Sequence, residues 1–201
     1  MPSSALDYAT AAHTIHRLLR DRGVTCDVVH PSSDLSRYRV VVVPTLYLVS
    51  DEDAASIAAA AAAGAHVVVT YFSGISDAND HVRLGGYPGA FRELLGVRVE
   101  EFFPLREQES VALSDGGTGS QWSEDARATD AQVVTTYANG PLAGRPAVTR
   151  RDVDAGVAWY LGTLPDDASL GSLLDTVLHE SGVESVVRTS PWMVRPTNSI
   201  T

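Results

Sequence analysis

The densest run of chemistry-bearing side chains is TYFSGISDANDHVRLGGYPG, residues 70–89. Asp77, Asn79, Asp80 and His81 bring carboxylate, amide and imidazole groups together at short spacing, types that can ligate metal ions. A helix–loop–helix calcium site needs glycine at the sixth loop position and glutamate at the twelfth. Counted from Asp77, those positions are Val82 and Pro88, so that template fails. The six histidines, His13, His16, His30, His66, His81 and His179, include no HExxH and no other zinc spacing. No metal and no cofactor is expected.

Nucleophilic catalysis needs a Cys or Ser on a tight strand-to-helix turn, where backbone N–H groups form an oxyanion hole. The lone cysteine, Cys26, falls inside the strand-like VTCDVV, residues 24–29, where it reads as a small buried hydrophobe. Ser73 follows a strand, but no G-x-S-x-G surrounds it and no helix starts at once. Glu100 and Glu101 are adjacent, so a strand would send them to opposite faces, and they read as a solvated edge. GGTG, residues 116–119, lacks the lysine of a phosphate loop and reads as a flexible turn. No catalytic residue is assigned.

These residues must be positioned by a regular framework. Residues 4–23 carry Leu6, Ala9, Ile15, Leu18 and Leu19 near one helical face, with Gly23 as a stop. Two strands are expected at 24–29 and 38–44, the second, YRVVVVP, apolar in its centre as strands covered on both faces are. A helix follows, with Ser50 as its cap, Asp53 three residues on, and Gly64 as its end. AHVVVTYF, residues 65–72, is a buried strand, and AFRELLG, residues 90–96, a short helix. Beyond Pro104 the pattern becomes strand-like, with a turn at Asn139-Gly140-Pro141. Leu170, Leu173, Leu174, Val177 and Leu178 then mark a last helix ending at Gly182. The order predicts an α/β fold in three layers, a mostly parallel sheet with helices on both faces. Such folds normally open with a strand, and this chain opens with a helix, which suggests a piece of a longer protein. Ligands of open α/β sheets sit where loops leave strand ends, and the long loop 73–89 leaves such an end.

The chain has 201 residues, 44% of them hydrophobic, enough for one domain with a core. Its net charge is −10, from 25 acidic and 15 basic residues. That balance repels phosphate backbones and anionic lipid, so neither nucleic acid nor membrane is an expected partner. With one cysteine, no internal disulfide forms, which fits a cytoplasmic location. What remains is an interaction surface. Its candidate residues are Ser73, Asp77, Asp80, His81, Arg83 and Tyr87, with Phe102, Phe103, Trp122, Trp159 and Trp192 as further aromatic anchors or core.

VVVPTLYLVSDEDAASIAAAAAAGAHVVVTYFSGISDANDHVRLGGYPGAFRELLGVRVEEFFPL, residues 41–105, resembles the middle domain of family 42 glycoside hydrolases, the bacterial β-galactosidases. TTYANGPLAGRPAVTRR and GVAWYLGT resemble the later part of the same domain. The likeness runs from about residue 6 to 188. It implies a class I glutamine-amidotransferase-like (flavodoxin-like) fold without the catalytic cysteine, serving as a trimerisation domain. It also implies that the catalytic glutamates lie in a (β/α)8 barrel outside these residues, and that the family domain opens with a further strand. On that footing residues 1–187 are the trimerisation domain and 188–201 a tail or linker, and the partner is the protein itself, as a homotrimer. The competing readings are a stand-alone amidotransferase-like enzyme, which needs a nucleophile at a strand-to-helix turn, and a sugar-binding module, which needs a ligand at residues 73–81.

Overall fold

The computed structural model describes residues 8–186. The elements run α1 (Tyr8–Asp21), β1 (Val40–Val43), α2 (Asp51–Ala62), β2 (His66–Thr70), α3 (Arg92–Leu95) and β3 (Val97–Pro104). There follow β4 (Val111–Ala112), β5 (Thr118–Ser120), β6 (Trp122–Ala128), β7 (Gln132–Thr136), a 3-10 turn at Gly140–Leu142, β8 (Pro146–Val153), β9 (Gly156–Leu161), β10 (Leu164–Pro165) and α4 (Asp167–Ser181). The expected start of α1, residues 4–7, lies outside the described residues, as do the tail 188–201 and Trp192.

The helices form where local signals place them. α1 turns Ala11, Ile15, Leu18 and Leu19 inward, and Gly23 takes a left-handed φ of 72° as the chain leaves it. Ser50 Oγ accepts the Asp53 N–H at 3.0 Å, and Asp51, Glu52 and Asp53 fill the first turn of α2. α4 is capped by Asp166, whose carboxylate accepts the Ala168 and Ser169 N–H groups, and it ends at left-handed Gly182.

The main sheet has the order β1-β2-β9-β8-β7. β1, β2 and β9 run parallel, while β8 and β7 are antiparallel to their neighbours. The expectation of a mostly parallel sheet is thereby corrected to a mixed one. The β8–β9 connection is a hairpin turning at Asp154 and Ala155, and so short a link permits only antiparallel pairing. β3 pairs with β6, and β4, β5 and β10 form a small third sheet.

Alternation sorts the sheet's side chains into two cores. Val40, Val42, Val68, Val157, Trp159 and Leu161 meet α1 and α4 on one face. Val41, Val43, Val67, Val69, Ala158 and Tyr160 meet α2, α3 and the β3–β6 pair on the other. β2 and β9 are buried throughout, so helices on both faces of the sheet stand as expected. The strand expected at 24–29 is absent: the segment is irregular, and Val28 is 95% exposed. Strand pairing needs a neighbour, and no described strand lies beside this segment. Cys26 is accordingly half-buried rather than interior, with burial and then Asp27 pushing its thiol pKa up.

Candidate functional site

The loop that follows β2 is built outward from the sheet. At the strand's end, Thr70 Oγ1 accepts the Thr45 N–H at 2.7 Å. Phe72 and Gly74 then take left-handed φ values of 57° and 66°. A Cβ on Gly74 would stand 2.8 Å from the Phe91 ring, so glycine is required there for space as well as conformation. Ser73 is fully buried and its Oγ accepts the Leu46 N–H at 3.0 Å. Backbone bonds from Gly74, Ile75 and Ser76 to Leu46 and Tyr47, and from Val49 to Ser76, zip the loop's base to the segment after β1.

The tip is a tight turn organised by Asp77. Its Oδ1 accepts the Asn79 N–H at 2.8 Å and the His81 N–H at 2.9 Å. The His81 N–H and then that of Asn79 hold its carboxyl below the usual carboxylate range. Asp80 takes the left-handed φ of 62° that the turn demands, and His81 Nδ1 lies 3.4 Å from Asp77 Oδ2. Past the tip, Arg83 reaches Asp51 Oδ1 at 2.6 Å and the Val49 carbonyl at 2.8 Å, tying the loop to the start of α2. Arg92 donates to the Gly85 and Leu84 carbonyls.

Tyr87 is held within the subunit. Its backbone exchanges two hydrogen bonds with Val99, and its ring lies 4.5 Å from Phe102 between centroids. Phe102 continues to Trp122 at 5.1 Å, and Trp122 to Phe72 at 4.8 Å. The expected aromatic anchors Trp122 and Trp159 are core residues. Of the six candidates, then, Ser73, Asp77, Arg83 and Tyr87 brace the loop, while Asp80 and His81 lie exposed at its tip. Beside them stand Val82, 50% exposed, and Leu84, 89% exposed. The sequence reading passed over these two apolar residues because a lone Val or Leu among polar residues carries no periodic signal.

No catalytic constellation is gathered here. The Ser73 hydroxyl is enclosed and engaged by Leu46. His66, the buried histidine, sits at the opposite end of β2, with its Nδ1 3.4 Å from the Trp159 indole N–H. Among the described residues no cluster of three potential metal ligands occurs. Glu100 and Glu101 are both exposed, because the β3 ladder is irregular between Val99 and Phe102. Glu100 pairs with Arg98 at 3.1 Å.

One carboxyl stands apart, and the sequence reading missed it. Glu124 on β6 is fully buried. Its Oε2 accepts the Trp122 indole N–H at 2.9 Å and its Oε1 accepts the Tyr160 hydroxyl. Tyr137 closes the group, donating to the Gly162 carbonyl at 2.9 Å. Burial pushes the Glu124 pKa up to about 8 against the opposing pull of the Tyr160 and Trp122 donors. The available signal was the Trp122–Glu124 spacing, which puts both on one strand face.

The whole length of this framework has counterparts. Residues 1–184 match the family model described as β-galactosidase trimerisation domain. The chain is 55% identical over 185 residues to a β-galactosidase of an Arthrobacter species, covering 92% of this chain and 27% of that protein. It is 36% identical to the β-galactosidase LacZ of Heyndrickxia coagulans, covering 90% and 28%. The solved β-galactosidase of Bacillus circulans sp. alkalophilus superposes with a TM-score of 0.89 at 30% identity, over 94% of this chain and 29% of that one. The chain thus spans under a third of the length of these relatives.

Proposed function

The chain belongs to the β-galactosidase trimerisation-domain family, and from that premise we propose that it is the threefold-assembling middle module of a bacterial β-galactosidase. In this reading the parent enzyme removes terminal non-reducing β-D-galactose residues, with the catalytic glutamates in a (β/α)8 barrel elsewhere in its polypeptide. The module contributes assembly rather than chemistry.

The observation that carries the assembly reading is the pair Val82 and Leu84, exposed on a loop braced at its base by Ser73, Arg83 and Tyr87. An apolar side chain held out on a rigid support binds without the ordering cost of a floppy loop. Asp80 and His81 supply the polar rim that surrounds such a contact. A threefold contact is heterologous, so each loop meets a different surface of its neighbour and the ring closes after three.

Light scattering on the full-length enzyme tests this. The wild type is expected at three subunits' mass, and Leu84→Asp combined with Val82→Ser at one. Both side chains are substantially solvated in the subunit, so folding should survive. A double variant that keeps the mass of three subunits sinks the loop as the contact.

Finer assignments follow from the same reading. The parallel β1, β2 and β9 with helices on both faces support an amidotransferase-like classification. The position of the lone Cys26, away from any strand-to-helix turn, supports loss of that class's nucleophile. Residues 1–187 as the module and 188–201 as the link to a following domain fit the extent of the family match. Among the described residues no helix is long and apolar enough to cross a membrane, and the single cysteine supports a cytoplasmic setting.

A further inference from the structure

Asn139-Gly140-Pro141 turns the chain between β7 and β8. Asn139 and Gly140 are both exposed. Asn139 is extended, with φ −144° and ψ 178°. Gly140 takes a left-handed φ of 72°, the conformation that favours glycine, and a Cβ built on it would meet nothing within 4 Å. Water therefore reaches the peptide bond between them. The Asn139 side chain stands in for backbone. Leu113 and Tyr137 form an antiparallel bridge, and the Ala138 N–H donates to the Ala112 carbonyl at 2.8 Å. The Ala112 N–H in turn donates to Asn139 Oδ1 at 3.1 Å. An N–H donor pairs only with the oxygen end of an amide, so this bond fixes the orientation of the Asn139 side chain. The Gly140 N–H donates to no group among the described residues.

We propose that Asn139 is a site of spontaneous covalent modification, at which the Gly140 nitrogen closes an imide ring on the Asn139 side chain and water then opens that ring. In the first step the Gly140 nitrogen gives up its proton and bonds to Asn139 Cγ. The bond from Cγ to the side-chain nitrogen breaks, and that nitrogen leaves as ammonia, carrying the proton. In the second step water adds its hydroxyl to one of the two ring carbonyl carbons and its remaining proton to the Gly140 nitrogen. Opening at Cγ gives aspartate. Opening at the main-chain carbonyl gives isoaspartate, in which the main chain runs through the former side chain. The attacking and attacked groups are neighbours in one chain, so ring closure carries no cost of bringing them together. Negative charge builds on Oδ1 during the attack, where the Ala112 N–H already donates, as a donor of an oxyanion hole does. No hydrogen bond of the Gly140 N–H is lost when its proton leaves.

Asn79 shows what protection looks like. The residue after it, Asp80, carries a side chain, and the Asp80 N–H donates to the Asp77 carbonyl at 3.0 Å. The nitrogen that would attack is both hindered and committed. At Asn139 neither obstacle exists. The two products differ in what they do to the fold. Aspartate leaves an oxygen where the Ala112 N–H needs one. Isoaspartate lengthens the main chain by one methylene and draws the accepting carbonyl into it, so the bond to Ala112 is lost. β4 is only Val111–Ala112, and it depends on that neighbour for its pairing on one side. Either product adds a negative charge to a chain already at −10. The proposal asks nothing of the assembly reading and stands whether or not the loop 73–89 makes the trimer.

The test ages the folded full-length enzyme at mildly alkaline pH, beside a synthetic peptide of residues 135–144, TTYANGPLAG. Samples are cleaved with trypsin and weighed by mass spectrometry, and isoaspartate is counted with an isoaspartate methyltransferase. The expected result is that the fragment holding Asn139 gains about 1 Da, the difference between an amide –NH2 and an acid –OH. It should do so no more slowly than the peptide, with isoaspartate among the products, while the fragment holding Asn79 keeps its mass. Slower conversion in the folded enzyme than in the peptide overturns the proposal, because the fold then protects Asn139. Conversion to aspartate alone also overturns it, because direct attack by water makes no isoaspartate and no ring has closed. Equal conversion at Asn79 overturns it as well, because the free Gly140 N–H would then decide nothing. Failure of the trimer test leaves these readouts untouched, and their failure leaves the trimer test untouched.

Discussion

Glu124 is a carboxyl held far from its ordinary environment. The sheet face, Trp122 and Tyr160 enclose its carboxyl, and desolvation disfavours the charged form more than two donors favour it. The folded-state pKa of about 8 lies above the ordinary value of 4.5. A raised acid binds its proton more tightly when folded, so its contribution is fully present below 4.5 and is lost as pH rises towards about 8. Glu124→Gln keeps the shape and the neutral state at every pH. Urea unfolding of both proteins from pH 5 to 8 should show the wild type losing about 1.4 kcal/mol per pH unit relative to the variant. Parallel stability curves would show that Glu124 is ionised in the fold. A second residue-scale expectation concerns Ser73, whose hydroxyl satisfies a partly buried Leu46 N–H. Ser73→Ala should cost about 1–3 kcal/mol by leaving that donor unpaired, with the subunit count of the parent enzyme unchanged. A change in subunit count would return Ser73 to the contact itself.

At the scale of elements, the two long capped helices differ in what their caps hold. Ser50 satisfies one donor of α2. Asp166 satisfies two donors of α4 and also accepts the Thr118 N–H and hydroxyl, at 2.6 and 3.2 Å, joining α4 to β5. The Ser169 N–H and then the Thr118 N–H hold its carboxyl below the ordinary range. Ser50→Ala should therefore cost about 1 kcal/mol, as a lost cap does. Asp166→Ala should cost more, and its calorimetric midpoint should fall further. The excess in Asp166→Ala should be fully present above the ordinary aspartate pKa of 3.8 and fade as pH falls through the lowered folded-state value. Equal costs for the two substitutions would show that the link to β5 contributes nothing. Both caps are legible locally, because a helix start is a matter of residues within one turn. The second role of Asp166 is not, since Thr118 lies 48 residues away.

At the scale of the whole molecule, a net charge of −10 per chain sets like charges against one another in any assembly. If self-association runs through the apolar tip of the loop 73–89, added salt screens the repulsion without weakening the apolar contact. Sedimentation of the parent enzyme should then show tighter association as ionic strength rises from low to physiological. Association that weakens with salt would point instead to ion pairs as the dominant contact.

The amino-acid sequence by itself determined the described helices, the glycines that stop them, and the central strands β2 and β9. Helical hydrogen bonds close over four residues and apolar alternation is read within a single strand, so these features are local. Tertiary structure alone decided the rest. Segment 24–29 has the composition of a strand and is not one, because a strand exists only with a neighbour to pair with. Tyr87 has the composition of an exposed anchor but is committed to Phe102 and Val99 inside the subunit. Glu124 reads as one acidic residue among 25, and its raised pKa comes from burial beneath elements distant in sequence, which also bring the Tyr160 hydroxyl, 36 residues further along the chain, onto its carboxyl. In each case the energy is set by a partner that sequence distance conceals and folding brings into contact.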